Sequence, residues 1–248
     1  MTAVGNAASR AREHRPIVEL DRAVKFGAAL EMRQAGVAAL LHWPTVQDLL
    51  IIRHGESEWN VERRWQGWLD APLTALGERQ ALQRAEAIAA SGFTPAVVHC
   101  SDLGRARRTA EIIAGTLGAQ TCAHPGLRER SGGDWEGHTA EEIDERWPGM
   151  RMAWRRGERA SMPGGEVDEQ VFTRVDAAIA EILEGPRPAL IVTHHGVLRL
   201  VAVRAGAAID TLIPNLGGYW FRADPSGGLS NPEALPPLAT AQALPTSE

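Results

Sequence analysis

The sequence predicts a layered α/β fold with a mainly parallel central sheet. From Leu49 onward, short apolar segments alternate with longer segments of helical periodicity, which is the pattern of strand–helix–strand units. Residues suited to helix capping stand where the helical segments begin. The 248 residues suit one sizeable domain with extensions, and the 44% hydrophobic content is that of an ordinary globular protein.

Residues 1–47 are predicted to form an N-terminal extension. Residues 1–16 have the composition of a disordered segment, and from Ile17 to about Leu41 apolar residues recur among charged ones as in an amphipathic helix. The Trp43-Pro44 pair ends this helix, because a residue that precedes proline avoids helical geometry. The apolar stripe needs a surface to cover it, either the domain or a second copy in a homodimer, so the oligomeric state stays open.

The main domain is predicted to cover residues 48–223. Its candidate strands are 49–53, 96–100, 120–123 and 188–193, with 218–222 as a late edge strand. Its candidate helices are 74–91, 103–117, 139–147, 167–184 and 196–205. The expected N-caps are Thr74, Ser101 or Asp102, and Thr139, which also begins a capping box with Glu142. The proline-rich residues 224–248 are predicted to be a disordered tail.

Composition excludes several functional classes. The net charge of −5, from 26 basic and 31 acidic residues, does not predict a nucleic-acid-binding surface. The first fifteen residues are small and basic but lead into no continuous apolar segment, so we do not expect a secretory signal, and no uncharged apolar run is long enough to cross a bilayer. Cys100 and Cys122 form neither a CxxC pair nor a disulfide framework, which favours a reducing compartment. We therefore expect a cytoplasmic protein that binds neither nucleic acid nor membrane.

The ends of the predicted strands carry an unusual set of side chains. The four strands run into RHGE at 53–56, SDLGRA at 101–106, LRER at 127–130 and THHG at 193–196. In sheets of this kind, functional residues gather at the carboxyl ends of the strands. The sequence therefore predicts a site where guanidinium and imidazole groups meet with few counter-charges.

Arginine and histidine in this combination suit a phosphoryl group. Guanidinium groups pair with phosphate oxygens through two hydrogen bonds, and phosphoryl transfer needs mainly positioning and neutralisation of charge. Neutral imidazole is also a competent nucleophile near pH 7. His54, held at a strand end, is therefore the candidate nucleophile, Arg53 is a candidate phosphate ligand, and Gly55 allows close approach of the backbone.

Five segments in order resemble the phosphoglycerate mutase-like histidine phosphatases. They are RHGESEWN at 53–60, QGWLDAPLTALGERQA at 66–81, SDLGRARRTA at 101–110, LRERSGGDWEG at 127–137 and VTHHGVLR at 192–199. The resemblance extends from about residue 49 to residue 222. It implies a single three-layer α/β/α sandwich and a reaction without a metal or an organic cofactor.

The resemblance also implies a role for each matching residue. His54 becomes transiently phosphorylated, and the phosphoryl group is bound beside it by Arg53, Arg105 and His194. Glu129 protonates the leaving oxygen and then activates water. The residues implied in substrate binding are Ser57, Asn60, Gln66, Gly67 and His195.

Some assignments leave alternatives open. His195 stands where many relatives have glycine, so either imidazole could face the phosphate, although position favours His194. A metal site at this pair is disfavoured, because adjacent residues at a strand end point apart and no third ligand has recognisable spacing. Glu129 is the least secure assignment, since other glutamates follow closely. The tryptophans at 59, 65 and 68 are expected to be packing anchors, with one lining the mouth of the pocket.

The expected function is hydrolysis of a small phosphorylated metabolite, a phosphate ester, through phosphohistidine. The alternatives are a phosphoglycerate mutase and an inactive module that binds phosphate esters. Only 64 residues lie between Glu129 and His194, which leaves no room for the long basic insertion of the mutases that the sequence resembles. Substrate selectivity is assigned to residues 130–166, and the substrate itself stays open.

Overall fold

The structure is a computed structural model that describes residues 48–209, 212–224 and 228–238. The predicted N-terminal extension, with its helix, lies outside these residues, as does the end of the tail. Within them, six strands form one sheet and seven helices pack around it. Each of these helices is too short or too polar to span a membrane.

The sheet has the strand order β3-β2-β4-β1-β5-β6. Its strands are β1 (Leu49–Arg53), β2 (Val97–Ser101), β3 (Gln120–His124), β4 (Ala189–Thr193), β5 (Gly218–Ala223) and β6 (Leu229–Ala234). The β1–β4, β2–β4 and β2–β3 pairs are parallel, whereas β5 is antiparallel to both β1 and β6. The prediction of a mainly parallel sheet is therefore confirmed.

Helices follow the strands in the predicted alternation. They are α1 (Glu58–Val61), α2 (Ala75–Ala90), α3 (Gly104–Leu117), α4 (Ala140–Arg146), α5 (Met150–Arg155), α6 (Asp168–Glu184) and α7 (His195–Arg204). The short helices α1 and α5 were not predicted, because four and six residues are too few to show helical periodicity.

Strand β1 lies inside the sheet, and its side chains enter two separate cores. Leu49 and Ile51 pack in a cluster with residues of α6 and α7, whereas Leu50 and Ile52 pack with residues of α2 and α3. Alternate side chains of a strand point to opposite faces, so an unbroken apolar run is required when helices cover both faces. This arrangement is the expected three-layer α/β/α sandwich.

Two of the three predicted helix caps are confirmed. The Thr74 side chain accepts a hydrogen bond from the Gly77 amide, and Thr139 and Glu142 form the predicted capping box. The prediction for α3 was wrong, since its N-cap residue is Leu103, whose side chain cannot accept a hydrogen bond from the helix amides. The carboxylate of Asp70 accepts from the first amides of α3 instead. A capping residue from a distant loop cannot be recognised by local spacing.

Two predictions for the end of the domain also need correction. Strand β5 is not an edge strand, because β6 pairs with its outer side, and β6 lies within the tail predicted to be disordered. Pairing with β6 satisfies the backbone groups that β5 would otherwise expose. Pro232 is tolerated there because β6 is the edge strand, where the outer amide needs no partner.

Candidate active site

A cavity of about 440 Å³ opens where β1, β2 and β4 end. Its walls include eight of the ten predicted site residues: Arg53, His54, Asn60, Gln66, Gly67, Arg105, Glu129 and His195. The cavity is thus built at the carboxyl edge of the parallel strands, which is where ligands bind in open α/β sheets.

His54 is fixed by its neighbours in one orientation. Its backbone amide donates to Thr193 O at 2.9 Å, and its Nδ1 lies 2.7 Å from Gly55 O. Because a carbonyl oxygen can only accept, Nδ1 carries the proton and Nε2 keeps a free lone pair. Burial lowers the pKa of His54 well below its usual value, and the nearby Arg105 and Arg53 lower it further. The imidazole is therefore neutral at pH 7, as a nucleophile must be.

Gly55 is required by packing of the backbone against the start of α2. A side-chain carbon at this position would lie 2.6 Å from Gly77 O, well inside van der Waals contact. The Gly55 amide donates to the Thr109 hydroxyl at 3.0 Å, which in turn donates to Arg105 O at 2.7 Å. The close approach expected at Gly55 is thus an approach to α2. The hydrogen bond from Gly55 to Thr109 ties the loop that carries His54 to α3.

Arg53 and Arg105 bring buried positive charge to the cavity. Arg53 donates through Nη1 to Ile213 O at 2.7 Å, and its Nε is buried without a hydrogen-bond partner among the described residues. Burial lowers the pKa of Arg53 to about 10, and the nearby Arg105 adds to this effect against the opposing pull of Glu129. An arginine with such a pKa is still charged at pH 7, and an anionic ligand would stabilise its buried charge.

Arg105 also has a second task. Its Nη1 donates to Leu69 O and to the Asp70 carboxylate, both at 2.9 Å, and its Nη2 donates to Gly67 O at 2.8 Å. Its Nε is buried without a partner within the described part of the chain. Arg105 therefore holds the loop at residues 67–70 while it keeps donor capacity for a ligand.

The two adjacent histidines occupy different places. His194 is fully buried, with its ring 5.3 Å from the His54 ring in an edge-to-face contact, whereas His195 lines the cavity. Neither nitrogen of His194 finds a hydrogen-bond partner among the residues described. Burial, with Arg105 and His54 adding to it, lowers the pKa of His194 well below its usual value. The predicted proximity of His194 to His54 is present, but the imidazole on the cavity wall is that of His195.

Glu129 lies against the first turn of α7. One carboxylate oxygen accepts from the Arg130 amide at 2.8 Å, and the other accepts from the Gly196 amide at 3.0 Å. A side-chain carbon at Gly196 would lie 2.5 Å from the carboxylate, so glycine is needed after the paired histidines. Each oxygen retains a lone pair that can take up or hold a proton in the cavity.

Of the predicted binding residues that follow His54 in the chain, three line the cavity and one holds them in place. Asn60, Gln66 and Gly67 line the cavity, but Ser57 does not. The Ser57 hydroxyl caps α1 by accepting from the Asn60 amide and donates to the Gln66 side-chain oxygen at 3.1 Å. Ser57 thus orients two wall residues and does not itself reach the cavity. The sequence pattern alone cannot show whether a hydroxyl close to His54 in the chain contacts the substrate or is buried behind the cavity wall.

The outer part of the cavity, called here the pocket mouth, consists of Trp59, Arg63, Trp65, Trp154 and Arg155. The Trp65 and Trp154 rings are in edge-to-face contact at 5.5 Å. Arg63 has a left-handed backbone with φ of 58°, which costs roughly 1–2 kcal/mol for a residue other than glycine. The guanidinium groups of Arg63 and Arg155 make no hydrogen bond and no ion pair to another described residue. The mouth therefore combines aromatic faces with available positive charge.

Several residues that shape the site carried no recognisable signal. Asn215 donates from its side chain to His54 O at 3.0 Å and to the Asn60 side-chain oxygen at 3.1 Å. Arg174, on α6, donates to Glu129 O at 2.9 Å and pairs with Glu166, so it fixes the backbone that carries Glu129. Trp68 donates from its indole to the same carbonyl at 2.8 Å but is 42% exposed. Two of the three tryptophans, Trp59 and Trp65, line the cavity instead of the single one expected.

Comparison with known proteins agrees with this geometry. The chain is 42% identical over 151 residues to "Probable phosphoglycerate mutase GpmB" of Salmonella paratyphi B, which covers 59% of this chain and 68% of the relative. A structure of mycobacterial glucosyl-3-phosphoglycerate phosphatase in complex with VO3 superposes with a TM-score of 0.65 at 30% identity, covering 75% of this chain and 96% of that chain. Alpha-ribazole phosphatase from Shigella flexneri gives a TM-score of 0.62 at 27% identity, covering 74% and 94%.

The match to a known protein family covers most of the residues that the structure describes. Residues 49–214 match the histidine phosphatase superfamily, branch 1, and this span begins at β1 and includes every residue of the cavity wall. The RHG segment at 53–55, the buried arginines and the histidine pair at 194 and 195 all fall within it. The chain is therefore a member of the histidine phosphatase superfamily, branch 1.

Proposed function

We propose that the protein hydrolyses a phosphate monoester of a small metabolite through a phosphohistidine intermediate. The observation that carries this proposal is the surroundings of His54. Its neutral imidazole, with a free Nε2, shares the site with Arg53 and Arg105, and the Nε of each of these arginines is buried without a partner among the described residues. Such groups suit the charge and the oxygen lone pairs of a phosphoryl group.

In the first half-reaction, His54 Nε2 attacks phosphorus and the bond to the leaving oxygen breaks. Glu129 in its protonated form gives that oxygen its proton, so the product leaves as an alcohol. Arg53 and Arg105 neutralise the phosphoryl oxygens, and His194, in contact with the His54 ring, donates to the phosphoryl group carried by that ring. This step consists of positioning and charge neutralisation, as phosphoryl transfer requires.

In the second half-reaction, the carboxylate of Glu129 takes a proton from water. The oxygen of that water forms a bond to phosphorus while the bond from phosphorus to Nε2 breaks, which restores His54 and releases inorganic phosphate. Glu129 ends protonated, ready for the next cycle. Neither half-reaction requires a metal or an organic cofactor.

The cavity favours hydrolysis and a substrate with a sizeable anionic leaving group. Its volume of about 440 Å³ lies in the range of pockets that bind drug-sized molecules and leaves space for water beside a small ester. Arg63 and Arg155 at the pocket mouth suit a second anionic group on the leaving group. Two of the structural relatives are named as phosphatases, which also supports hydrolysis.

Phosphoglycerate mutase activity is the second candidate, and two observations favour it. The relatives at 42% identity carry that name, and the arginines of the pocket mouth could hold the carboxylate of a phosphoglycerate. In that reaction the phosphoryl group on His54 would return to a different oxygen of the substrate before water reached it.

One experiment separates the two candidates. The protein is incubated with 3-phosphoglycerate and a catalytic amount of 2,3-bisphosphoglycerate, and in parallel with a panel of phosphate monoesters. We expect steady release of inorganic phosphate from at least one ester and negligible formation of 2-phosphoglycerate. Rapid isomerisation with little release of phosphate would establish the mutase instead.

A further inference from the structure

A second cluster of reactive side chains lies on the outer part of the sheet. His99 on β2 and Cys122 on β3 are Cα partners in the parallel register, and His124 follows two residues later on β3. Side chains two residues apart share a face, and so do partners in register, so all three point to the same side of the sheet. Their potential ligand atoms all lie within 4.8 Å of one another.

The alternative explanation is a hydrogen-bonded histidine pair beside an unrelated thiol. The Nδ1 of His99 lies 3.0 Å from the Nε2 of His124, so one ring can donate to the other. This explanation accounts for two of the three groups. It gives no reason for a thiol to converge on the same point from an exposed position of the edge strand.

We propose that His99, Cys122 and His124 form a binding site for a zinc-class divalent cation. Two imidazole nitrogens and one thiolate are a donor set that Zn²⁺ prefers. Bond lengths of about 2.0–2.3 Å around a tetrahedral zinc place neighbouring donors roughly 3.3–3.6 Å apart. The observed separations span these values, so small side-chain rotations on a rigid pair of strands would complete the site.

The site has three protein ligands and therefore one open position for water. Cys122 is exposed, which gives an ion a path from solvent. Binding would use the thiolate of Cys122 and one lone pair of each imidazole, and the histidine that donates within the pair would carry its proton on its other ring nitrogen.

The cation would join the edge of the sheet to its interior. Among the described strands, β3 is the terminal one and pairs only with β2, so a bound ion would link the two strands through their side chains. None of the three residues lines the cavity that contains His54. His124 is separated from Glu129 only by the turn at Pro125–Leu127 and Arg128, so the site lies at the start of the segment that carries this carboxylate. We therefore assign the cation a stabilising role at the sheet edge and no part in phosphoryl transfer.

The test uses untagged full-length protein that has been treated with a chelator and then dialysed. Zinc affinity is measured by competition with a chromophoric chelator, and Co²⁺ is added separately as a spectroscopic probe. We expect one equivalent of zinc bound and a sulfur-to-cobalt charge-transfer band. Cys122→Ser should remove this band and weaken zinc binding at least tenfold, and His124→Ala should weaken it by a similar factor. Both variants should release phosphate at the wild-type rate.

Two matched controls locate the ion. His138→Ala removes a histidine outside the cluster and should leave zinc binding unchanged. His54→Ala removes the nucleophile of the cavity and should also leave it unchanged. The proposal is overturned if the wild type binds no stoichiometric zinc, if Cys122→Ser binds as tightly as the wild type, or if His54→Ala abolishes binding. The last result would assign the ion to the phosphoryl cavity, and none of these results bears on whether the protein is a phosphatase.

Discussion

The floor and the mouth of the cavity are built on different principles. The floor, made of Arg53, His54 and Arg105 with His194 packed behind His54, lies at strand ends and at the start of a helix, and all four residues are at most 7% exposed. Its positions are fixed by the sheet and by backbone hydrogen bonds such as that from the His54 amide to Thr193 O. The pocket mouth comes from loops and short helices, and its arginines are exposed.

This difference separates chemistry from selectivity. Phosphoryl transfer needs groups placed to within a fraction of an ångström, which packed strands provide. Recognition of the leaving group needs only a suitable surface, and loops can vary that surface without disturbing the floor. We therefore expect substitutions in the floor to act on turnover and those in the mouth to act on the choice of substrate.

The largest effect is expected from removal of the nucleophile. His54→Ala should lower phosphate release by at least about 10⁴-fold, because the phosphohistidine can no longer form. The control is His138→Ala, which removes a histidine that does not line the cavity. Wild-type protein quenched during turnover should carry acid-labile phosphate, and His54→Ala should carry none. Equal labelling of the two proteins would disprove the assignment of His54.

The next largest effect should come from Glu129→Gln, and it should depend on the leaving group. A glutamine cannot supply the proton, so phosphorylation of His54 by an alkyl phosphate should slow about 10²–10⁴-fold. An aryl phosphate leaves without much protonation and should lose far less in this step. Both rates are measured in the first turnover, as the alcohol or phenol released before steady state, because hydrolysis of the phosphohistidine is common to the two esters. A loss of equal size for the two esters would indicate that Glu129 only positions the α7 terminus.

Arg105→Lys should give a smaller loss on the same floor. Lysine keeps the charge but not the planar fork, which in Arg105 both holds the loop at residues 67–70 and offers its Nε to a ligand. We expect kcat/KM to fall about 10²-fold. Arg108→Lys on the same helix is the matched control, since Arg108 is 52% exposed and pairs with Glu78. If both variants lose activity alike, the loss arises from α3 and not from the floor.

The sequence predicted the floor because its residues follow strands that can be recognised. The unbroken apolar run of β1 predicts a strand covered on both faces, and polar residues directly after such a strand must reach the sheet edge. His54 was located in this way, directly after Arg53 at the end of β1, with the resemblance to a family supplying the roles of both. The helices of the two outer layers followed from their periodicity and from the caps at Thr74 and Thr139.

The remaining features depend on contacts between segments far apart in the chain. Asp70 caps α3 and Asn215 holds the nucleophile loop, and neither has a local pattern that reveals its partner. Arg155 lines the cavity although it is exposed, because α5 ends at the mouth, and no local pattern in the sequence reveals this position. Ser57 was predicted to bind substrate, but it orients the residues of the cavity wall and does not line the cavity itself.

The buried imidazoles of the floor should make stability depend on pH. The folded-state pKa of His54 is lowered, so the unfolded chain binds more protons below its ordinary pKa of about 6.5, and stability is lost as the pH falls from there towards the folded-state pKa. Between pH 7.0 and 5.5 this group should contribute about 1 kcal/mol of that loss. In denaturant titrations, His54→Gln should therefore show a smaller drop between the two pH values than the wild type. Equal drops would mean that folding leaves the pKa of His54 unchanged.

The smallest effect is expected at the pocket mouth, and it tests whether this region acts only on the choice of substrate. Arg155→Ala should raise KM about threefold for esters whose leaving group carries a carboxylate or a second phosphate, which corresponds to about 0.7 kcal/mol for an exposed charge pair. It should leave kcat unchanged, and it should leave both constants unchanged for an ester with a neutral leaving group.

Arg156→Ala is the matched control for this prediction, because the neighbouring arginine pairs with Glu158 and does not line the cavity. High salt should reduce the difference between Arg155→Ala and the wild type, since an exposed charge interaction is screened. A fall in kcat for every ester would show that the mouth takes part in the chemistry, and the division between floor and mouth would then be wrong. A loss confined to anionic leaving groups would mean that the loops select the substrate while the sheet edge performs the reaction.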